Sequence, residues 1–193
     1  MLDDCDLDIA LGKISPVAME DRGVRFVRRK YMNEPLSVKG SLLAGGRYNI
    51  PKHLLEEMGL PFTGALYIGR NIKIAMAETG ADSEQSTKAI FRIMYKLDAV
   101  LDLTSKDNLR LLGTSYQELT GNWRETNDEE CEISPTQRLG LRMKRSNRFS
   151  AIKCPSAKTQ KGNNYNLVIF IDEANEMHTI EQAGIYIKAE IIE

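Results

Sequence analysis

Residues 45–49 read Gly45-Gly46-Arg47-Tyr48-Asn49 and place two glycines directly before a cation, an aromatic ring and an amide. Glycine lacks a Cβ atom, so the chain can turn tightly here and its backbone can approach a ligand closely. Arginine can hold a phosphate through two parallel hydrogen bonds. Tyrosine can stack on a base, and asparagine can hold the turn. The stretch therefore predicts a turn suited to a nucleotide, although most such turns bind no ligand.

The composition is that of one globular domain. The chain has 193 residues, of which 42% are hydrophobic, so it can bury a substantial core. The acidic amino terminus does not resemble a signal peptide, and no apolar run approaches the length of a membrane helix. Three cysteines and two histidines lack metal-type spacing. We therefore expect a cytoplasmic protein without a metal site or a membrane segment.

Charge is unevenly distributed although the net charge is only −1. Residues 133–171 contain no acidic side chain, and an acidic patch at 125–132 precedes them. On the helix predicted from Ser134 to about Ser146, Arg138, Arg142 and Arg145 share one face. This basic face could bind nucleic acid, a substrate, a protein partner or the acidic patch, or it could be solvated.

The order of the predicted elements favours an α+β fold in a single domain. Strands outnumber long helices, and helices do not follow each strand as they do in a doubly wound sheet. No glycine-rich dinucleotide or P-loop motif is present. The predicted strands are 23–29, 65–68, 89–97, 99–103, 149–153, 166–172 and 185–192. The other predicted helices are 51–58, 71–80, 105–112 and 114–120, residues 31–41 are a predicted loop, and residues 1–22 are an arm or a short helix.

Five polar residues stand beside turn and strand signals: Arg47, Tyr48, Tyr67, Glu78 and Ser156. Their order and context resemble the RES domain, a family named for Arg, Glu and Ser. The resembling segments are 30–37, 40–41, 45–49, 65–69, 75–78, 135–140, 155–157 and 162–170.

The resemblance implies a fold related to ADP-ribosyltransferases, with mixed or antiparallel sheets and short flanking helices. The catalytic domain would span 23–193. The resemblance also implies a bacterial toxin that depletes NAD by hydrolysis or phosphorolysis, or that ADP-ribosylates a protein. Its partner would be a small helical antitoxin of the Xre type, which blocks the active site in a hetero-oligomer and alone links the toxin to nucleic acid. NAD would be the substrate, with no separate cofactor.

The resembling residues suit this chemistry. Arg47 would clamp a phosphate, and Tyr48 and Tyr67 would orient a ring, with Asn49 beside them. Cleavage of the nicotinamide–ribose bond builds positive charge on the ribose, as glycoside cleavage does, and a carboxylate stabilises that charge. Glu78 is the candidate carboxylate. We expect Ser156 to hydrogen-bond the ribose or a phosphate rather than to act as a nucleophile.

Overall fold

A computed structural model of the protein describes residues 1–79, 88–123, 133–159, 164–171 and 178–192. The strands in these residues are β1 (Val17–Arg28), β2 (Gly64–Gly69), β3 (Lys88–Asp102), β4 (Ala151–Pro155), β5 (Tyr165–Ile171), β6 (Thr179–Gln182) and β7 (Ile185–Ile191). The helices are α1 (Asp4–Lys13), α2 (Lys39–Ala44), α3 (Lys52–Glu57), α4 (Ile72–Thr79), α5 (Lys106–Leu111), α6 (Tyr116–Thr120) and α7 (Pro135–Arg145), with a 3-10 turn at Arg29–Tyr31.

Strand β3 joins the two parts of the sheet. It pairs antiparallel with β1 along one edge and antiparallel with β7 along the other, where it also pairs parallel with β4. Strand β5 lies between β4 and β2, and β2 reaches β1 where Val24 pairs with Gly69. The pairings β1–β2–β5–β4–β3–β1 thus close a circuit, and β7 and β6 extend the sheet beyond it. This mixed sheet with short flanking helices confirms the predicted α+β fold.

The alternation that predicted β3 is present in the structure. Phe91, Ile93 and Tyr95 are buried, whereas Arg92 is exposed. The sequence predicted two strands, 89–97 and 99–103, but the structure has one continuous strand. The register with β1 shifts by one residue at this point, which reverses the alternation without ending the strand.

Three further elements differ from the prediction. Strand β1 begins at Val17, six residues before the predicted start. The sequence did not predict residues 17–22 as a strand because they show no alternation, and all of them except the partly buried Met19 are exposed. Strand β6 was not predicted, since only Ile180 of its four residues is buried. Helix α2 begins at Lys39, inside the segment predicted as a loop.

Strand β5 is central, as its nearly continuous apolar sequence predicted. Leu167 and Ile169 belong to one core, which the strands build with β1, β3 and β7. Val168 and Phe170 belong to a second core, which lies under helices α1 and α7. The strand is therefore buried on both faces. None of the described helices is long and apolar enough to cross a membrane.

Helix α1 covers the basic face of α7. Arg142 Nε donates to Asp8 Oδ1 at 2.8 Å, and Arg138 Nη2 donates to the Leu2 carbonyl at 2.8 Å. Arg148 holds the other end of α1 through the carbonyls of Leu11 and Ile14. Much of the predicted basic face thus contacts α1, and the acidic patch at 125–132 lies outside the described residues.

The amino-terminal residues belong to the folded core. Leu7 and Leu11 of α1 are fully buried in the second core. Residue 22, where the sequence placed the edge of an amino-terminal arm, lies inside β1.

Replacing Leu11 with alanine should therefore destabilise the whole domain. The loss of a fully buried leucine side chain costs about 2–5 kcal/mol of unfolding free energy. Ile9 is the matched control, because it lies on the same helix and is 52% exposed. Ile9→Ala should change the unfolding free energy by less than about 0.5 kcal/mol. Urea denaturation measures the unfolding free energy of both variants. Equally small decreases for Leu11→Ala and Ile9→Ala would show that α1 is not part of the core.

Candidate active site

The turn at residues 45–49 is closed by its own backbone. Gly46 N donates to the Asn49 carbonyl at 2.9 Å. Gly45 has a φ of 69°, a left-handed conformation that favours glycine. A Cβ atom on Gly46 would lie 2.4 Å from the Tyr67 hydroxyl. Both glycines are thus needed, the first for its backbone conformation and the second for the close approach of Tyr67.

Tyr67 and Asn49 hold this turn from behind. The Tyr67 hydroxyl accepts from Tyr48 N at 3.1 Å and donates to Asn49 Oδ1 at 2.8 Å. Asn49 Nδ2 then donates to the Ser41 carbonyl at 2.7 Å. Burial raises the pKa of Tyr67, so its hydroxyl stays protonated and can donate. Asn49 is only 3% exposed and lies behind the turn, and its contact with NAD remains a prediction.

Helix α7 supports the same turn from the other side. Gln137 is fully buried in a capping box with Ser134, and its Nε2 donates to the carbonyls of Gly46 and Asn49 at 3.1 and 3.2 Å. One turn later, a Cβ atom on Gly140 would lie 1.9 Å from the Tyr48 carbonyl oxygen. The glycine therefore lets the helix backbone contact the backbone of the turn.

Arg47 is anchored at one of its nitrogens. Its Nη1 donates to the carbonyls of Leu119 and Gly121 at 2.9 and 2.7 Å, at the carboxyl end of α6. No described residue accepts from its Nε or Nη2. The guanidinium is thus fixed in place and keeps donors for an anion.

Glu78 lies in the last turn of α4 and is held through a single oxygen. Its Oε1 accepts from Ser156 Oγ at 2.7 Å, Asn166 Nδ2 at 2.9 Å and Ala157 N at 3.1 Å. Among the described residues, no donor contacts Oε2. Three donors from β5 and the segment after β4 therefore fix the carboxylate and leave one oxygen for a ligand.

Ser156 lies behind this carboxylate. It is fully buried, and its Oγ also accepts from Lys158 N and Thr159 N at 3.4 and 3.2 Å. We expected Ser156 to contact a substrate. The structure directs its hydroxyl to Glu78, and the contact of Ser156 with a substrate remains a prediction.

A cavity of about 900 Å³ lies between the turn at residues 45–49 and the carboxylate of Glu78. Arg47, Tyr48, Tyr67 and Glu78 line it, whereas Asn49 and Ser156 do not. Its volume is near the upper end of the usual range for small-molecule sites, so it can hold a dinucleotide. In the described part of the chain, no group of three or more metal-ligating side chains comes together.

Comparison with known proteins supports the resemblance seen in the sequence. A model of the RES domain matches residues 23–189. The chain belongs to the RES family. Its fold is similar to that of a chain in the crystal structure of the M. tuberculosis MbcT–MbcA toxin–antitoxin complex. The TM-score is 0.63 at 17% sequence identity, over 97% of this chain and 92% of that chain. No curated protein gives a significant match.

In this RES domain, the three residues that suggested the family come to one place. Glu78 and Ser156 are hydrogen-bonded, and Arg47 lines the same cavity as Glu78. Tyr48 forms part of the cavity wall and is only 1% exposed. Its hydroxyl lies beside the Cys154 thiol, and burial raises the pKa of that thiol to about 12. Cys154 is therefore a neutral thiol near pH 7 and not a nucleophile.

Several residues that contribute to the site of this RES domain were not predicted from the sequence. Asn166 could have been found, because it is the one amide in an otherwise apolar and aromatic strand. Gln137 had only a capping-box signal, which accounts for its place in α7 but not for its contact with the turn. Trp123 and Lys158 also line the cavity.

The contact of α7 with the turn predicts opposite effects for two helical glycines of the RES domain. Gly140→Ala should force the helix and the turn apart and lower the unfolding free energy by about 1–3 kcal/mol or more. Gly12→Ala in α1 is the control, since a Cβ atom there has its nearest neighbour at 4.0 Å. It should be neutral or stabilise by up to about 1 kcal/mol. Denaturant titration that finds Gly140→Ala as stable as wild type would refute the close contact.

Proposed function

We propose that this RES protein is an enzyme that cleaves the bond between nicotinamide and ribose in NAD. The proposal rests on the way in which the carboxylate of Glu78 is hydrogen-bonded and placed in the cavity. One carboxylate oxygen is held by three donors, the other has no described donor, and the residue lines a cavity of about 900 Å³. We infer NAD as the substrate because the chain belongs to the RES family and its sequence resembles members that act on NAD.

The chemistry needs such a carboxylate. As the nicotinamide–ribose bond breaks, positive charge develops on the ribose. A carboxylate that is already oriented stabilises this charge without reorganising, so it lowers the barrier more than it tightens substrate binding. Nicotinamide leaves as a neutral molecule, so the site needs no strong general acid. Glu78 supplies the negative charge, and Ser156 and Asn166 keep it in place.

Arg47 would position the substrate. NAD carries a pyrophosphate, and an arginine binds phosphate oxygens through its forked donors. The two carbonyls at the end of α6 occupy Nη1 and direct the side chain, while Nε and Nη2 would meet the phosphate. Tyr48 and Tyr67 would shape the cavity beside it.

We also propose a biological role as a bacterial, cytoplasmic toxin. The structure with a similar fold is a toxin–antitoxin complex, and the sequence resembles toxins of that kind. The partner would be an antitoxin of the Xre type that covers the cavity, with any nucleic-acid contact made by the antitoxin. Transfer of ADP-ribose to a protein would use the same carboxylate, and only the product would differ. The contact of Arg138 and Arg142 with α1 gives no support to a nucleic-acid-binding function.

Replacing Glu78 with glutamine should abolish NAD cleavage while preserving the fold. Removal of one preorganised electrostatic group typically lowers kcat about 10²–10³-fold. Glu57→Gln is the matched control, because Glu57 is exposed at the end of α3. Nicotinamide release is followed with purified protein free of antitoxin, with and without phosphate. Labelled NAD added to candidate proteins distinguishes transfer from release. A folded wild-type protein that consumes no NAD in any of these assays would overturn the proposal.

Ser156→Ala should lower kcat at least about tenfold and change KM little. Its hydroxyl contributes one charge-assisted hydrogen bond to Glu78, and loss of such a bond costs about 1.5–3 kcal/mol. Because the residue is fully buried, we propose that it acts through Glu78 rather than by touching NAD. Steady-state kinetics separates the two parameters. A raised KM with an unchanged kcat would instead show that Ser156 contacts NAD.

A further inference from the structure

A second pocket, the α3–α7 pocket, lies beside the turn at residues 45–49 and is separate from the cavity that Glu78 lines. Its volume is about 230 Å³. Its walls come from α3 and the segment after it, from α7, from β5 and from the turn. Among the described residues, only Tyr48 lines both this pocket and the larger cavity. None of the roles above uses the α3–α7 pocket.

The interior of the α3–α7 pocket is apolar. Ile50, Leu55 and Phe170 line it and are each only 3% exposed, and the half-buried Leu60 and Leu141 complete the lining. Water makes few hydrogen bonds in such a place, so an apolar group displaces it favourably. An apolar cavity of about 150 Å³ can hold a benzene molecule. A pocket of about 230 Å³ therefore has room for a chain or ring of about eight carbon atoms.

The rim of the α3–α7 pocket is positively charged. Lys144 and Arg145 line it from the last turn of α7, and Arg145 is exposed, so the cations lie on the side of the solvent. None of the described residues that line the pocket is acidic. Arg138 and Arg142 of the same basic face contact α1, whereas Arg145 forms no hydrogen bond or ion pair within the described residues. Arg145 can therefore pair with an anion at the rim.

We propose that the α3–α7 pocket binds a small amphipathic anion, with one carboxylate on an apolar body of about eight carbon atoms. The apolar body fills the space between α3 and α7. The carboxylate lies beside Arg145 in contact with water, so the ion pair avoids the desolvation cost of a buried one. A nucleotide does not suit the apolar lining, because its polar groups would lose their hydrogen bonds to water. The occupant would touch Tyr48, but the proposal does not depend on NAD cleavage.

Nuclear magnetic resonance titrations of the isotopically labelled full chain test the site with hexanoate, octanoate and octanol. Octanoate should shift the amide signals of Leu55, Leu141 and Phe170. It should bind about tenfold more tightly than hexanoate, because each buried methylene group tightens binding by about fourfold or less. It should bind about two- to fivefold more tightly than octanol, because an exposed ion pair contributes about that much.

One variant tests the apolar part of the pocket. Leu141→Trp places a larger side chain in the lining and should weaken octanoate binding at least about tenfold, since little room remains for the chain. Leu111→Trp is the matched control, because Leu111 is 41% exposed on α5 and does not line the pocket. It should leave octanoate binding unchanged.

A second variant tests the charged rim. Lys144→Gln/Arg145→Gln should abolish the preference for octanoate over octanol and leave octanol binding unchanged. The control is Arg28→Gln/Arg29→Gln, which removes two adjacent exposed cations that do not line the pocket. It should keep the preference of wild type.

Three results overturn the proposal. The first is that no acid binds, and the second is that octanoate binds no more tightly than octanol or shifts signals only elsewhere. The third is a dimer in sedimentation that Leu141→Trp dissociates and that does not bind octanoate, since a second copy of the chain then fills the pocket. If Leu141→Trp does not fold, the ranking of the three ligands and the location of the shifted signals in wild type decide.

Discussion

Three donors meet at one carboxylate oxygen of Glu78, and the candidate site depends on this convergence. Ser156 follows β4, Asn166 lies on β5, and Glu78 is in the last turn of α4. A carboxylate at the negative end of a helix dipole is unfavourable by up to about 1 kcal/mol, so these donors offset a local cost. They also hold the carboxylate in one orientation. The sheet circuit is what brings α4, β4 and β5 together.

The second fixed part is the turn at residues 45–49, and it is held in a different way. Its position depends on close backbone contact, which Gly46 and Gly140 permit, and on Gln137, which bonds to the turn at both ends. Arg47 leaves the turn towards α6. The site therefore combines a rigid anion, Glu78, with a rigid cation, Arg47, on separate supports around one cavity. Such preorganisation is what electrostatic catalysis requires.

Local patterns in the sequence predicted most of the elements but not how they meet. Each of these elements carries a local signal: buried and exposed residues alternate along β3, Asn71 caps the start of α4, and Ser134 with Pro135 begins α7. The local pattern at residues 45–49 indicated Arg47, whereas family resemblance was needed to select Glu78, and the roles of both remain predictions. The start of the catalytic domain at residue 23 remains a prediction.

The parts that could not be predicted are contacts between residues distant in sequence. Gln137 reaches Gly46 across 91 residues, and Ser156 reaches Glu78 across 78. No local pattern shows which way a buried hydroxyl or amide points. For the same reason, the sequence did not predict that α1 covers the basic face of α7. That contact depends on how two separate helices pack.

The measurement that tests the central claim most directly is a crystal structure of Glu78→Gln with NAD bound. The account predicts the side chain of residue 78 within about 3–3.5 Å of the anomeric carbon of the nicotinamide ribose, as a near-attack geometry requires. It also predicts a phosphate on Arg47. NAD bound elsewhere, or bound here with its nicotinamide ribose far from residue 78, would contradict the account.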